Sequence, residues 1–364
     1  MELQYQIALT LVDGVGPVIA KNLISYCGSA SAVFKAKKST LLKIPEIGEF
    51  TASSVLAFND FKKAEDELKF IEKHKIQTHF YASPDYPYRL KSTPDCPVIL
   101  YQLGNADLNA EKIIAVVGTR KPTEYGKHFC EKLVEDLSGT GATIISGMAY
   151  GIDVCAHKAA LKNQLPTVGV LAHGLDRLYP SDHKKYAKTI IEMGGGLVTE
   201  CLSGTNPDRE NFPKRNRIVA GLCDALIVVE TAQRGGSMIT AELAWQYDRT
   251  LMALPGKSGD EKSAGCNYLI KTNRAEMIEN SLDLVRSLGW DVASKIPHSQ
   301  RALPIDLSPE ETLLWNIFKE KPMMEIDEIV GVSSLGSSQA ALTLLDLEFK
   351  GLIKTLPGKR FQLL

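Results

Sequence analysis

Arg209, Lys214, Arg215 and Arg217 surround Phe212 in the nine-residue run RENFPKRNR. Guanidinium groups donate hydrogen bonds in a planar fork that matches phosphate oxygens, and an aromatic face accepts any base by stacking. Single-stranded nucleic acid uses both. Pro213 stiffens the chain directly after the ring, which can hold Phe212 out beside the charges. A structural alternative stands next to this one: the arginines pair with Asp208 and Glu210, and Phe212 is a core residue.

A basic loop of this kind needs a rigid mount. Within residues 204–239 it leads into an apolar helix face, a buried strand at 225–229 and the glycine turn Arg234-Gly235-Gly236-Ser237. The same alternation runs through the whole middle of the chain. Apolar strands at 113–118, 142–147, 167–172, 194–200, 225–230 and 250–255 are separated by helical segments, including 127–137 and 152–161. That pattern predicts a parallel sheet covered on both faces, with ligands at the carboxyl ends of its strands. Unusual residues collect at those ends. Gly118, Thr119 and Arg120 follow the first of these strands, and Ser146 and Gly147 close the second, just before Gly151-Ile152-Asp153. Several glycine turns on one edge, with Arg120 and the loop from Arg209 to Arg217, predict an anion-binding rim. No G-x-G-x-x-G follows the first strand and no G-x-x-x-x-G-K-[ST] occurs, so the usual dinucleotide and P-loop fingerprints are absent.

Composition sets limits on this reading. The 364 residues allow two or three domains, and 44% hydrophobic with 23% charged residues is ordinary for a globular protein. A net charge of -1 gives no general attraction for nucleic acid, so binding must come from local patches. Seven cysteines are scattered with no CxxC spacing, which predicts free thiols in a reducing cytosol and no metal site. The N-terminal run MELQYQIALTLVDG has no leader character and no apolar run reaches membrane-spanning length, so a cytoplasmic location without membrane association is expected.

VVGTRKPTEYG, SGMAYGID, HGLDRLYP, NFPKRNRIVAG and RGGSMITAELA, then ALPG and GCNYLI, occur in order over roughly 160 residues. This set resembles the signature of the DNA-processing protein A (DprA/Smf) family. Thr119 stands where that family commonly has Ser, and a small difference precedes Gly235. The resemblance implies an α/β fold with an extended Rossmann-like parallel sheet. It also implies a non-enzymatic cytoplasmic protein of natural transformation and recombination, which binds incoming single-stranded DNA, protects it and helps load the RecA recombinase. A homodimer through the Rossmann-like domain is implied, and no cofactor. Carried over by motif, Arg120, Arg209, Phe212, Lys214, Arg215 and Arg217 line the pocket, joined by Gly118, Thr119, Ser146 and Gly147. The arginine of FPKRNR nearest the helix can instead be structural, tying the loop to a carboxylate such as Asp153. For the dimer, the apolar residues Met238, Ile239, Leu243, Ala244 and Trp245, with Leu269 and Ile270, serve either core or interface; periodicity does not separate the two.

An enzyme is the alternative. Gly235-Gly236 with Glu242 resembles the GGxGTxxE signature of nucleotide phosphoribohydrolases on a related Rossmann-like fold, but Met238 and Ile239 occupy the Gly and Thr positions. His157 and His173 have no evident Ser or Cys partner, and isolated histidines are usually structural.

Two flanking regions complete the expected domain plan. Residues 1–60 hold a weak repeat in which Val15, Gly16 and Ala20 match Ile47, Gly48 and Ala52, resembling a helix-hairpin-helix (SAM-like) domain; Glu46 replaces the first glycine of the second hairpin. The Rossmann-like domain takes 61–290, a polar linker 291–304, and 305–364 resemble a winged helix of three helices and a hairpin. Its third helix is acidic and apolar with only Lys350 basic, so a structural or protein-contact role is favoured over groove reading.

Overall fold

The computed structural model of the chain describes residues 2–290, 307–356 and 358–363. These fall into two units, Met1–Leu284 and Val285–Leu364. The linker expected at 291–304 lies outside the described residues.

Six helices open the first unit: α1 (Glu2–Thr10), α2 (Pro17–Cys27), α3 (Ala30–Lys35), α4 (Lys38–Leu41), α5 (Glu49–Ala57) and α6 (Phe61–His74). The weak repeat is real in the backbone. Gly16 and Gly48 cap α2 and α5 with nearly the same dihedrals, φ -81°, ψ 178° and φ -87°, ψ 176°. Glu46 sits at φ 67° where its counterpart Gly14 has φ 78°, so the glutamate accepts a left-handed conformation that costs a non-glycine residue about 1 kcal/mol or more. Phe61, placed by sequence at the head of the central domain, packs its ring 5.2 Å from Phe34 and from Phe58 and 5.7 Å from Tyr5. Ala64 and Ile71 of α6 join the same helical core, which extends to Val98, Ile99 and Tyr101 on the sheet.

The sheet has nine strands. In chain order they are β1 (Gln77–Phe80), then α7 (Tyr88–Lys91), β2 (Ile99–Gly104), β3 (Ile113–Val117), α8 (Glu124–Asp136), β4 (Thr143–Ser146), α9 (Ile152–Lys162), β5 (Thr167–Val170), α10 (Lys184–Glu192), β6 (Gly196–Thr199), α11 (Asn211–Leu222), β7 (Ala225–Val228), α12 (Gly236–Gln246), β8 (Thr250–Ala253), α13 (Ala264–Lys271), β9 (Glu276–Met277) and α14 (Ser281–Ser287). Their spatial order is β1-β2-β6-β5-β4-β3-β7-β8-β9. The seven strands from β6 to β9 run parallel, and β2 and β1 close one edge antiparallel. Strands β3 to β7 are buried along their full length, as near-continuous Val, Ile and Ala runs require when both faces are covered.

Chain order reverses between β3 and its two neighbours, β4 on one side and β7 on the other. A crevice forms beyond the carboxyl ends of strands at such a reversal, because the following helices cross to opposite faces. At the amino ends of β3 and β7, the segment carrying α7 is clamped by buried arginines. Arg89 donates to both Asp224 carboxylate oxygens at 2.7 and 2.8 Å, while Asp224 accepts from the Ile113 amide at 2.9 Å. Arg249 donates to the Arg89 and Gly221 carbonyls. Among the described residues no helix is long and apolar enough to cross a membrane.

The second unit contains α15 (Pro309–Glu320), β10 (Met323–Glu325), α16 (Ile326–Ser333), α17 (Ser337–Phe349), β11 (Ile353–Leu356) and β12 (Arg360–Leu363). A capping box starts α15: Ser308 Oγ accepts from the Glu311 amide, and Glu311 accepts from the Ser308 amide. The expected hairpin gains a third strand, in the order β10-β12-β11, around a core of Leu314, Phe318, Ile329, Leu344 and Leu347. This is a winged-helix arrangement. On α17, Leu342, Leu345 and Phe349 are exposed, and no basic side chain lies between Ser337 and Phe349.

Candidate functional site

A cavity of about 770 Å³ opens where the sheet order reverses. Three sequence-distant segments build it: the turn after β3, the Gly147–Asp153 link from β4 to α9, and the start of α11, with the turn before α12 closing the far side. Two glycines make the close approach possible. Gly151 has φ +85°, and a Cβ there would lie 2.1 Å from the Thr119 carbonyl oxygen. A Cβ on Gly147 would lie 2.3 Å from the Arg215 guanidinium.

From Asn211 onward RENFPKRNR is helix, and only Arg209 and Glu210 lie in a turn before it. Helix α11 starts at Asn211, so Phe212 and Pro213 are in its first turn, where a missing amide costs no hydrogen bond. Helical periodicity then divides the basic residues. Phe212, Arg215, Asn216 and Val219, spaced three and four apart, face the cavity. Lys214 and Arg217 turn away from it. Arg217 pairs with Glu200 and donates to the Asp95 carbonyl, and Lys214 is exposed outside the cavity lining. Burial pushes the Glu200 carboxyl up from its ordinary range, opposed by Arg217.

Arg215 reaches the cavity but is committed to the protein. Its side chain is buried and donates to the Gly147 and Val170 carbonyls, bracing the ends of β4 and β5. Asp153 lies within its field, and burial raises that carboxyl above its usual range while Arg215 and the Ala149 and Gly147 amides pull it down. The structural arginine expected nearest the apolar helix face is Arg217, and its carboxylate is Glu200 rather than Asp153. Ser146 is also below the cavity rather than in it: it is fully buried, and its hydroxyl donates to the Val116 carbonyl at 2.6 Å.

Seven of the ten expected residues therefore converge: Gly118, Thr119, Arg120, Gly147, Arg209, Phe212 and Arg215. The Thr119 amide donates to the Glu230 carbonyl at 2.6 Å and its hydroxyl accepts from the Lys121 amide, so Thr119 fixes the turn that presents Arg120. Arg120 lies 5.5 Å from the Phe212 ring centroid, and Tyr179 meets the same ring edge-on at 6.1 Å. Phe212 is half-buried between them. Arg209 is carried by a segment tied down at several points: Ser203 N to Glu67 at 3.0 Å, Gly204 N to Asp176 at 2.9 Å, and Arg177 to Asn206.

Arg234 and Tyr179 complete the lining. Arg234 precedes the Gly235 cap of α12, which has no side-chain cap, so the first amides of that helix stay open for an anion. The sequence placed Arg234 only in an amide-rich turn; its charge beside that helix start was the available signal. Arg120, Arg209 and Arg234 are exposed, and none pairs with a carboxylate among the described residues; Asp208 and Glu210 do not neutralise them. Glu242, the glutamate of the enzyme alternative, pairs with Arg274 at 2.6 Å and does not line the cavity.

Comparison with known proteins places the chain in a family. Residues 77–289 match the family described as DNA recombination-mediator protein A, residues 298–359 the DprA winged helix domain, and residues 7–58 the SAM-like helix-hairpin-helix tandem. Protein Smf of Synechocystis is 30% identical over 99% of this chain and 98% of its own length, and protein Smf of Escherichia coli K12 is 34% identical over 82% of this chain and 80% of its own. The crystal structure of DprA from Streptococcus pneumoniae superposes with a TM-score of 0.63 at 29% identity, covering 78% of this chain and 97% of that one. DprA from Helicobacter pylori, whose structure was described for its single-stranded DNA binding mode, gives 0.53 at 30% identity over 60% of this chain and 97% of its own. With its central domain matched throughout and relatives aligned nearly end to end, the chain belongs to the DNA recombination-mediator protein A (DprA/Smf) family.

Proposed function

We propose that this protein binds single-stranded DNA in the cavity at the sheet reversal, protects strands taken up in natural transformation, and helps load RecA on them. It acts in the cytoplasm as a homodimer through the Rossmann-like domain and catalyses no reaction. One observation carries the reading: Arg120, Arg209 and Arg234 converge with the open amino terminus of α12 on one cavity and have no carboxylate partners among the described residues. Three unpaired guanidiniums and a row of free amides fit a polyanion, and the half-buried Phe212 beside them offers a base a face. The relatives named for DNA processing, and the Helicobacter protein described for its single-stranded DNA binding, support the same ligand. For the dimer, Trp245 of α12 is 48% exposed and offers apolar surface to a second copy.

Titration of labelled oligothymidine against salt tests the reading. Each single-strand phosphate contact contributes about 0.7 to the slope of log affinity on log salt, so three arginines give about 2 in magnitude from the cavity alone. No binding at low salt would overturn the proposal. Release of free base from nucleoside monophosphates would instead favour the phosphoribohydrolase alternative, against which the Glu242–Arg274 pair stands.

A further inference from the structure

A cavity of about 770 Å³ encloses a ligand of drug-like size, on the order of one or two nucleotides, so a bound strand must leave it over the surface. One exit is lined with rings. Tyr179 touches Phe212 at the cavity mouth and is 45% exposed. Three residues further on, Asp182 accepts from the Tyr150 hydroxyl at 3.0 Å, and Tyr150 is 42% exposed just past the Gly147–Ala149 lining. Tyr150 stands edge-on to His183 at 4.9 Å, and His183 is 6.3 Å from Tyr186. His183 itself is buried, with Nδ1 2.8 Å from the Met148 carbonyl, so it anchors the row and does not offer a face of its own.

Two cations flank the far end. Lys158 of α9 and Lys185 of α10 each place Nζ 4.8 Å from the Tyr186 centroid. Neither pairs with a carboxylate among the described residues, while Asp182 is already engaged by Tyr150. Two ammonium groups at one ring concentrate positive charge there, which a phosphate can neutralise. Hydrogen bonding from the two lysines also lowers the Tyr186 phenol from its ordinary range, as convergent positive charge requires.

We infer that a single strand seated in the cavity continues across α9 and α10, with bases against Tyr179, Tyr150 and Tyr186 and a phosphate held by Lys158 and Lys185. This track rests on the single-stranded DNA reading above and extends it by naming the path the strand takes. Tyr179 and Tyr150 are exposed and Tyr186 is half-buried, and phenol rings alternating with lysines hold a strand whatever its sequence, because every base has a π-face and every linkage a charge.

Anisotropy titrations of a thymidine trinucleotide and a thymidine dodecanucleotide distinguish the track from the cavity. Tyr186→Ala weakens the dodecanucleotide roughly 5- to 150-fold with the salt slope preserved. Lys158→Ala with Lys185→Ala lowers the slope for the dodecanucleotide by about 0.7, the share of the one phosphate they hold. Both leave the trinucleotide unchanged, whereas Arg209→Ala weakens both oligomers. Tyr186→Leu, which keeps most of the packing volume, behaves as Tyr186→Ala if stacking is what is lost, and melting curves verify the fold of every variant. Wild-type affinity for the dodecanucleotide in both track variants would overturn the track and leave the cavity reading standing. No binding of the dodecanucleotide by the unaltered protein at low salt would remove both.

Discussion

Replacing Arg215 by methionine separates a structural arginine from a ligand contact. The guanidinium holds the Gly147 and Val170 carbonyls and faces the buried Asp153. Arg215→Met keeps most of the side-chain volume but leaves two carbonyls unsatisfied and a carboxylate without its countercharge. An uncompensated buried charge costs about 3–5 kcal/mol, which corresponds to a fall in melting temperature of roughly 6–20 °C. Asp153 offers a partial escape by taking up a proton. Its folded pKa is already raised by burial and rises further once the guanidinium is gone. The folded variant then binds more protons than the unfolded chain between the two pKa values, so its stability falls as pH rises through that window. Melts of Arg215→Met therefore lie closer to wild type at about pH 5 than at about pH 8. Adding Asp153→Asn removes that pH dependence and recovers part of the loss. A folded Arg215→Met protein with wild-type melting at both pH values and a shallower salt dependence of DNA binding would refute this reasoning and make Arg215 a phosphate contact.

The other expectations divide in the same way between contacts and supports. Phe212→Ala lowers single-strand affinity by about 1–3 kcal/mol with the salt slope unchanged, because a stacked ring releases no counterion; a slope that falls in a stable variant counts against stacking. Arg217→Met destabilises through the stranded Glu200 and leaves the salt slope unaltered, read by melting and titration together. His157 is buried, and its Nδ1 must donate to Thr167 Oγ1 at 2.7 Å, since that hydroxyl already donates to the Ile144 carbonyl at 2.8 Å. Burial pushes its pKa down to about 3, so the unfolded chain binds the extra proton between there and about 6.5, and stability drops by about 1.4 kcal/mol for each pH unit of acidification in that window; His157→Gln flattens the pH dependence. Glu46→Gly relieves the left-handed strain at φ 67° and stabilises by about 0.5–1 kcal/mol, offset in part by loss of the 3.1 Å bond from Asn22; an unchanged melt removes strain as a factor there.

The sheet was legible because burial on both faces forces uninterrupted apolar runs, and each of the six parallel strands predicted from such a run is present within a few residues of its expected bounds. Strand order was not legible. Nothing in the chain before β6 marks that it pairs with both β5 and the antiparallel β2, since that pairing is decided by long-range packing. The short β9 went unseen for a local reason: two residues carry no periodicity. At the hairpins the composition misled. Glu46 looked like a departure from the first repeat, yet its backbone takes the same left-handed turn as Gly14, because helix packing overrides the local preference.

The motif resemblance named ten residues, of which seven line the cavity, while geometry assigned their roles. RENFPKRNR contains four cations, and composition alone treats them alike. Once the run is wound into α11, a rotation of about 100° per residue sends Arg215 to the cavity wall, against the Gly147 and Val170 carbonyls, and Arg217 to Glu200. That periodicity was available in the sequence: Phe212, Asn216 and Val219 already follow the helical spacing that continues into the apolar Ile218–Leu222 face, and reading the run as the first turns of that helix rather than as a loop separates the cations. What no local pattern reveals is solvation. Arg215 and Arg209 are the same residue type six positions apart, one buried against carbonyls and one exposed at the rim. Arg215 is buried with its Nη1 held by two backbone carbonyls, so under the proposed function the affinity is expected to come from the exposed arginines without carboxylate partners, Arg120, Arg209 and Arg234.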